Sequence, residues 1–142
     1  MDPLSVSASV VGLLTAGVAI TNALTQLIRE TREAPKSAQH LLQEITDITA
    51  ALSSLQAYLN RRRRAPARRE ALILLEHVLT ALTGCVTTYS DLQALVDELQ
   101  SDPQSTLAKM KWSRRESQIS VLLLRLQNNK SSLTLMLTIL QW

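Results

Sequence analysis

His40, Glu44 and Asp47 stand at i, i+4 and i+7, a spacing that sets an imidazole and two carboxylates on one helix face, where they could hold a divalent cation. The same spacing also describes a plain solvated face opposite Leu41 and Ile45, and that reading needs no ligand. His77 has no acid or thiol at a supporting position beyond Glu76, so it reads as a helix-surface residue. A phosphate-binding loop needs Gly-x-x-x-x-Gly-Lys, to aim backbone N–H groups and a cation at the phosphates. Gly12 and Gly17 have the glycine spacing, but Val18 stands where the lysine must be. Cys85 is the single cysteine, which excludes an intrachain disulfide and fits a small core residue in a reducing compartment. These residues point to no enzyme, no cofactor, no metal and no small-molecule substrate.

Charge and hydropathy are more informative. Six of the fifteen basic residues fall in RRRRAPARR, residues 61–69, and the rest of the chain is net acidic. Arg61, Arg62, Arg63, Arg64, Arg68 and Arg69 therefore form one patch, which reads either as a solvated loop with no partner or as a contact for anionic lipid headgroups at about 1 kcal/mol per residue. Nucleic acid is the weaker match, because the segment has no aromatic side chain to stack on bases. A second basic cluster, Lys109, Lys111, Arg114 and Arg115, surrounds Trp112, which suits either packing on the protein or a membrane interface. From Pro3 to Ile28 there is no charged residue, a run long enough to cross about 30 Å of hydrocarbon as a helix. Leu4, Val6, Val10, Val11, Leu13, Leu14 and Ile20 are its candidate membrane-inserting side chains. Ala8, Gly12 and Ala16 follow the small-xxx-small spacing that lets helices approach closely. Ser5, Ser7, Ser9, Thr15, Thr21, Asn22, Thr25 and Gln26 make the run poorer than a constitutive span, and a buried bundle helix fits it equally.

The elements that must carry these groups are helices. Apolar residues are 46% of the 142, aromatics only 3%, and Leu and Ala dominate, which disfavours strands. Asp2-Pro3 is a start signal, and Val6, Val10, Leu13, Gly17, Ile20, Leu24 and Leu27 then recur at three-four spacing, predicting a helix over about 3–32. Ala34-Pro35 interrupts it, and Leu41, Ile45, Ile48, Leu52, Leu55 and Leu59 predict a second over about 36–60. Leu72, Leu75, Leu79, Leu82, Val86 and Tyr89 give a third over about 68–100. Its stripe resumes out of phase at Leu92, Val96 and Leu99, so a kink or short break is expected near Gly84 and the Ser90-x-x-Gln93 capping-box match. Asp102-Pro103 opens a short helix over about 103–111, and Ser113-x-x-Glu116 matches a capping box for a last helix over about 113–142, with Ile119, Leu122, Leu126, Asn129, Leu133, Met136 and Leu140 in one phase. The weak helix formers at Asn128, Asn129, Ser131 and Ser132 do not break that phase. The expected architecture is one all-α domain over 1–142, an up-down-up-down four-helix bundle with a short extra helix between the third and fourth long helices. The absence of a stop signal before Trp142 predicts an N-terminal piece of something longer. Met1-Asp2-Pro3 lacks the basic start of a secretory signal, which predicts a cytoplasmic protein.

The opening MDPLSVSASVVGLLTAG, the following EAPKSAQHLLQEI, the stretch ALTGCVTTYSDL at 81–92 and the closing LQNNKSSLTLMLTILQW resemble the N-terminal domain of fungal NOD-like receptor and ankyrin-repeat proteins. That domain is related to HeLo-like cell-death bundles and, more remotely, to the bundle of the mixed-lineage kinase-like necroptosis executioner. The resemblance spans nearly the whole chain. It implies an N-terminal effector or signalling module for regulated cell death in innate immunity, acting by oligomerisation and by membrane targeting of the first helix, with recruitment to the plasma membrane on activation. Its partners would be other proteins or further copies of itself, together with anionic lipid. This first helix has only Gly12 and Gly17, fewer than the glycine zipper of the clearest pore-forming relatives. A purely protein-binding adaptor or oligomerisation module, without membrane activity, is the alternative.

Overall fold

Three-four stripes of Leu, Ile and Val give each long segment one face that must leave water, and four such helices can only do so against one another. The structure, a computed structural model, describes residues 3–31, 34–62, 69–101 and 112–140, with side chains for 8–31, 34–61, 76–100 and 112–140. It is all-α: α1 (Pro3–Glu30), α2 (Lys36–Arg62), α3 (Arg69–Ser101) and α4 (Glu116–Leu140), with no strand among the described residues. The short helix expected over 103–111 lies outside them.

The stripe of α1 is buried as the spacing predicts, at Val10, Leu13, Gly17, Ile20, Leu24 and Leu27. In α2 every expected position from Leu41 to Leu59 is buried, joined by Ala38 and Tyr58. Each fully buried Leu or Ile contributes about 1.5–3 kcal/mol relative to exposure. α3 runs unbroken from Arg69 to Ser101, so there is no break at Gly84. Its core residues are Val78, Leu82, Cys85, Tyr89, Leu92, Val96 and Leu99, an unbroken three-four series, while Val86 is 49% exposed. The apparent phase slip came from reading Val86 and Leu79 as core in place of Cys85 and Val78, since an apolar side chain next to the true stripe fits the spacing almost as well. The last helix passes through Asn128, Asn129, Ser131 and Ser132 without a break. It begins at Glu116 rather than at a Ser113 cap. Trp112–Arg114 form a preceding helical turn, and the Arg115 carbonyl accepts the first α4 bond, from the Ile119 N–H at 2.8 Å.

Neighbours in the bundle are not sequential. α1 packs on α2 and α3, and α4 packs on the same two, so the ring runs α1–α2–α4–α3. α2 and α3 lie across one diagonal and α1 and α4 across the other, whereas a simple up-down-up-down bundle would pair α2 with α3. Directions follow from the contacts. Glu98 pairs with Arg115, Asp91 with Arg125 and Thr88 with Asn129, so α3 and α4 are antiparallel. α1 ends at Glu30 and α2 begins at Lys36, and the two run back alongside each other with Gly17 beside Thr49. Trp112 donates from Nε1 to Thr31 Oγ1 at 3.4 Å, which sets the end of α1 beside the start of α4 and the end of α3. Pro3, Arg62, Arg69 and Leu140, the opposite termini of the four helices, therefore share the other end of the bundle.

Three contacts hold the register. A Cβ at Gly17 would lie 3.2 Å from Thr49 Oγ1 and 3.5 Å from the Tyr89 ring, so the glycine lets α1 sit close to both neighbours. Asn129 donates to Thr88 Oγ1 at 2.8 Å, and Thr88 donates to the Gly84 carbonyl at 3.0 Å, satisfying a buried polar pair at one level of the α3–α4 seam. Lys130 reaches from α4 to Glu44 at 2.8 Å and Asp47 at 3.3 Å on α2. Its hydrogen bond to Glu44, reinforced by Asp47, raises the Lys130 pKa despite partial burial.

Three outcomes follow. Gly12 has open space where a Cβ would stand, so Gly12→Ala should stabilise the chain to urea by about 0.5–1 kcal/mol through helix propensity. Gly17→Leu should destabilise it by about 1–3 kcal/mol through overpacking. Lys130→Gln should cost about 1 kcal/mol. Because the folded-state pKa of Lys130 is raised, that difference should be full at neutral pH and vanish as pH rises through the raised value, which urea titrations across alkaline pH will show.

Candidate functional site

The surface divides by helix. The described charges of α2 and α3 include Lys36, Glu44, Asp47 and Arg61, and Glu76, Asp91, Asp97 and Glu98. α1 carries none before Arg29. Along α4 beyond Glu116 the only charges are Arg125 and Lys130, and both lean onto neighbours, Arg125 onto Asp91 at 2.6 Å and Lys130 onto α2. The two helices poorest in charge thus occupy diagonally opposite corners. At the end shared by Pro3, Arg62, Arg69 and Leu140 these features converge: the start of α1, arginines closing α2 and opening α3, and the exposed apolar residues Leu135 and Ile139 of α4.

Among the membrane-insertion candidates, Val10, Leu13 and Ile20 are locked in the core, Leu14 is half-buried and Val11 is half-exposed. Leu4 and Val6 belong to α1, but their side chains lie outside the described residues. The helix therefore shows lipid-compatible chemistry with its inward stripe covered, while Val11 and Val18 on its outer side are about half-exposed. Its polar content is partly satisfied internally: the Thr15 and Thr25 hydroxyls donate to the Val11 and Thr21 carbonyls at 2.9 and 2.7 Å. A window within Ala8–Glu30 is long and apolar enough to cross a membrane, with a mean hydropathy of 1.6.

Of the small-residue series, Ala16 packs against the core, while the closest approach of α1 to its neighbours is at Gly17. Ala8 is exposed, and Gly12 and Ala16 line an open groove against α3 with Ser9, Val86, Ser90 and Gln93. Arg61 is exposed at the end of α2. Arg62 closes α2 and Arg69 opens α3, with side chains outside the described set, while Arg63, Arg64 and Arg68 lie wholly outside it.

The remaining polar candidates are accounted for by structure. Glu44 and Asp47 face Lys130, His40 is exposed, and no group of three metal-ligating side chains occurs among the described residues. His77 is exposed. Trp112 is 3% exposed, so it packs on the bundle, and Arg115 beside it pairs with Glu98. Burial pushes the Cys85 thiol up to about 11, which keeps it protonated and unreactive at neutral pH. Sequence reasoning missed the outward residues Val121, Leu124, Leu135 and Ile139 of α4. They form a second apolar stripe beside the core heptad, and that double pattern was the available signal.

A family model described as the pigment biosynthesis cluster protein PigL N-terminal domain matches residues 1–141. No curated protein and no solved structure matches.

Proposed function

The chain belongs to the PigL N-terminal family, and on that footing we propose that it is an N-terminal effector or signalling module which is held closed as a bundle and engages an anionic membrane through its arginine-bearing end. The observation that carries this reading is the convergence at one end of the α1 start, Arg61, Arg62 and Arg69, and the exposed Leu135 and Ile139. Cations draw such an end to acidic headgroups, and exposed apolar side chains then enter the interface. Release of α1 from the bundle is the second step. It would expose Val10, Leu13 and Ile20 to lipid, at the cost of the same burial that holds the closed form together. The family name describes a pigment biosynthesis cluster, which supplies a setting and no reaction. The resemblance to fungal NOD-like receptor N-terminal domains supports a receptor-controlled cell-death or immune role, with cytoplasmic protein recruited to the plasma membrane on activation.

A second reading, a protein-docking adaptor with no lipid step, draws on the burial of the α1 stripe, which leaves the closed bundle little to insert.

Vesicle co-sedimentation separates the two. Binding to vesicles containing phosphatidylserine, absent with neutral vesicles, should weaken by at least about tenfold when Arg61–Arg64 are all replaced by Gln, given about 1 kcal/mol per arginine. Equal binding by both proteins, or none by either, would favour the adaptor. Deleting α1 is a poor test, because its stripe is part of the core. A better one is Gly17→Cys with Thr49→Cys, since a Cβ at 17 lies 3.2 Å from the Thr49 hydroxyl oxygen, within disulfide reach. The oxidised pair should still bind anionic vesicles but lose dye release, which should return on reduction; unchanged release in the locked form rules out opening of α1.

A further inference from the structure

We propose that Ser117 is a phosphorylation site for a basophilic serine kinase, with Arg114 and Arg115 as the residues the kinase recognises and Glu98 as the competitor that withholds Arg115 from it. The inference starts from the second basic cluster, whose membrane reading has lost its aromatic anchor, because Trp112 is buried on the bundle. Its two described cations stand at the entrance to α4, Arg114 exposed and Arg115 half-buried. The next hydroxyl after them is Ser117, three residues beyond Arg114 and two beyond Arg115, and it is exposed. No other serine or threonine of the chain has arginines both three and two residues before it. A cleft lined with carboxylates takes two guanidiniums at that spacing through charge-assisted hydrogen bonds, which hold the hydroxyl in line with the phosphate to be transferred.

The fold makes this segment available to an active site. Trp112 and Ile119 are anchored in the core, but none of the side chains between them, Ser113 to Gln118, is buried. The backbone changes there from the turn in which Arg115 donates to the Trp112 carbonyl at 3.1 Å to α4, which begins at Glu116. Fraying of that one turn extends Arg114–Ser117 without taking any core residue out of the bundle. Thr83, Thr87, Thr134 and Thr138 are also exposed, but they stand within unbroken helices, where each donates to the carbonyl four residues back.

One contact opposes docking. Arg115 pairs with Glu98 at the end of α3, so the kinase must take the guanidinium from that carboxylate. Both side chains are partly exposed, and an ion pair of that kind is weak enough to exchange partners. In the transfer the Ser117 Oγ attacks the terminal phosphorus of ATP. The new O–P bond forms as the bond from that phosphorus to its bridging oxygen breaks, the hydroxyl proton passes to a carboxylate of the kinase, and ADP leaves. The product carries close to two negative charges in the first turn of α4, where the positive end of the helix dipole and the Arg114 side chain favour it, so the phosphate steadies the start of that helix. Ser117 lies at the opposite end of the bundle from Arg61, Arg62 and Arg69, and the inference is independent of any contact with lipid.

The test is phosphate incorporation into the folded chain by the catalytic subunit of cyclic-AMP-dependent kinase with ATP, read as initial rates, with the site located by mass spectrometry. Ser117 should carry the phosphate, and Ser117→Ala should take up none. Arg114→Ala should slow incorporation by at least about tenfold with helix content unchanged. Glu98→Gln, which loosens the hold on Arg115, should speed it about two- to fivefold. The melting temperature of the phosphorylated chain should rise by about 1–4 °C. Phosphate at Ser113 in place of Ser117, no incorporation into the folded chain, the parental rate in either variant, or a fall in melting temperature would overturn the proposal.

Discussion

Burial of the α1 stripe against α2 and α3 is the contact on which the rest of the structure depends. α1 is the most apolar helix of the chain, and its inward residues are held at the point where Gly17 admits Thr49 and Tyr89. Without that close approach the stripe would be partly wetted, and the helix would be a lipid-seeking segment attached to three others. With it, the same side chains fill a protein core. Protein interior and bilayer reward the same surface, so the closed bundle and any membrane-engaged form compete for one set of residues.

The cyclic order of the helices decides what shares each end and each corner. Because α2 and α3 lie on a diagonal, the more charged helices separate the two poorest in charge, and α1 and α4 present apolar corners on opposite sides. Because directions alternate, the arginines that close α2 and open α3 come to the same end as the start of α1. A core stripe on each helix would have been equally well buried in a ring with α2 beside α3, but then α1 and α4 would have been neighbours and their uncharged faces would have merged. Hydrogen bonds and ion pairs with fixed partners distinguish the two rings: Asn129 to Thr88, and Lys130 to Glu44 and Asp47. Polar contacts of this kind add little net energy, but a mispaired ring would leave the buried Thr88 without Asn129 and would part Lys130 from its carboxylates.

Threonine gives the chain another economy. Thr15, Thr25, Thr49, Thr83 and Thr138 all donate to the carbonyl four residues back, so hydroxyls that look hydrophilic in the sequence are closed on their own helices. The polarity of α1 and of the outer face of α4 is lower than composition implies, which is why both can remain uncharged without being simply apolar.

Helix identity and the core were legible from periodicity, because a three-four stripe of Leu, Ile and Val has only one way to leave water. The expected core positions in α1 and α2 with described side chains are buried, and α4 ran on through its polar middle because the phase did not change. The sequence also determined that basic charge is concentrated in residues 61–69 and that residues 3–28 carry none. It did not determine which helices are neighbours, since a stripe defines a face and not what covers it. Nor did it distinguish Cys85 from Val86, adjacent apolar residues of which only three-dimensional packing could bury one, or show that α4 has apolar residues left over once its core face is filled. Those were decided by tertiary structure, because exposure is a property of the whole assembly of helices, while spacing is a property of each helix alone.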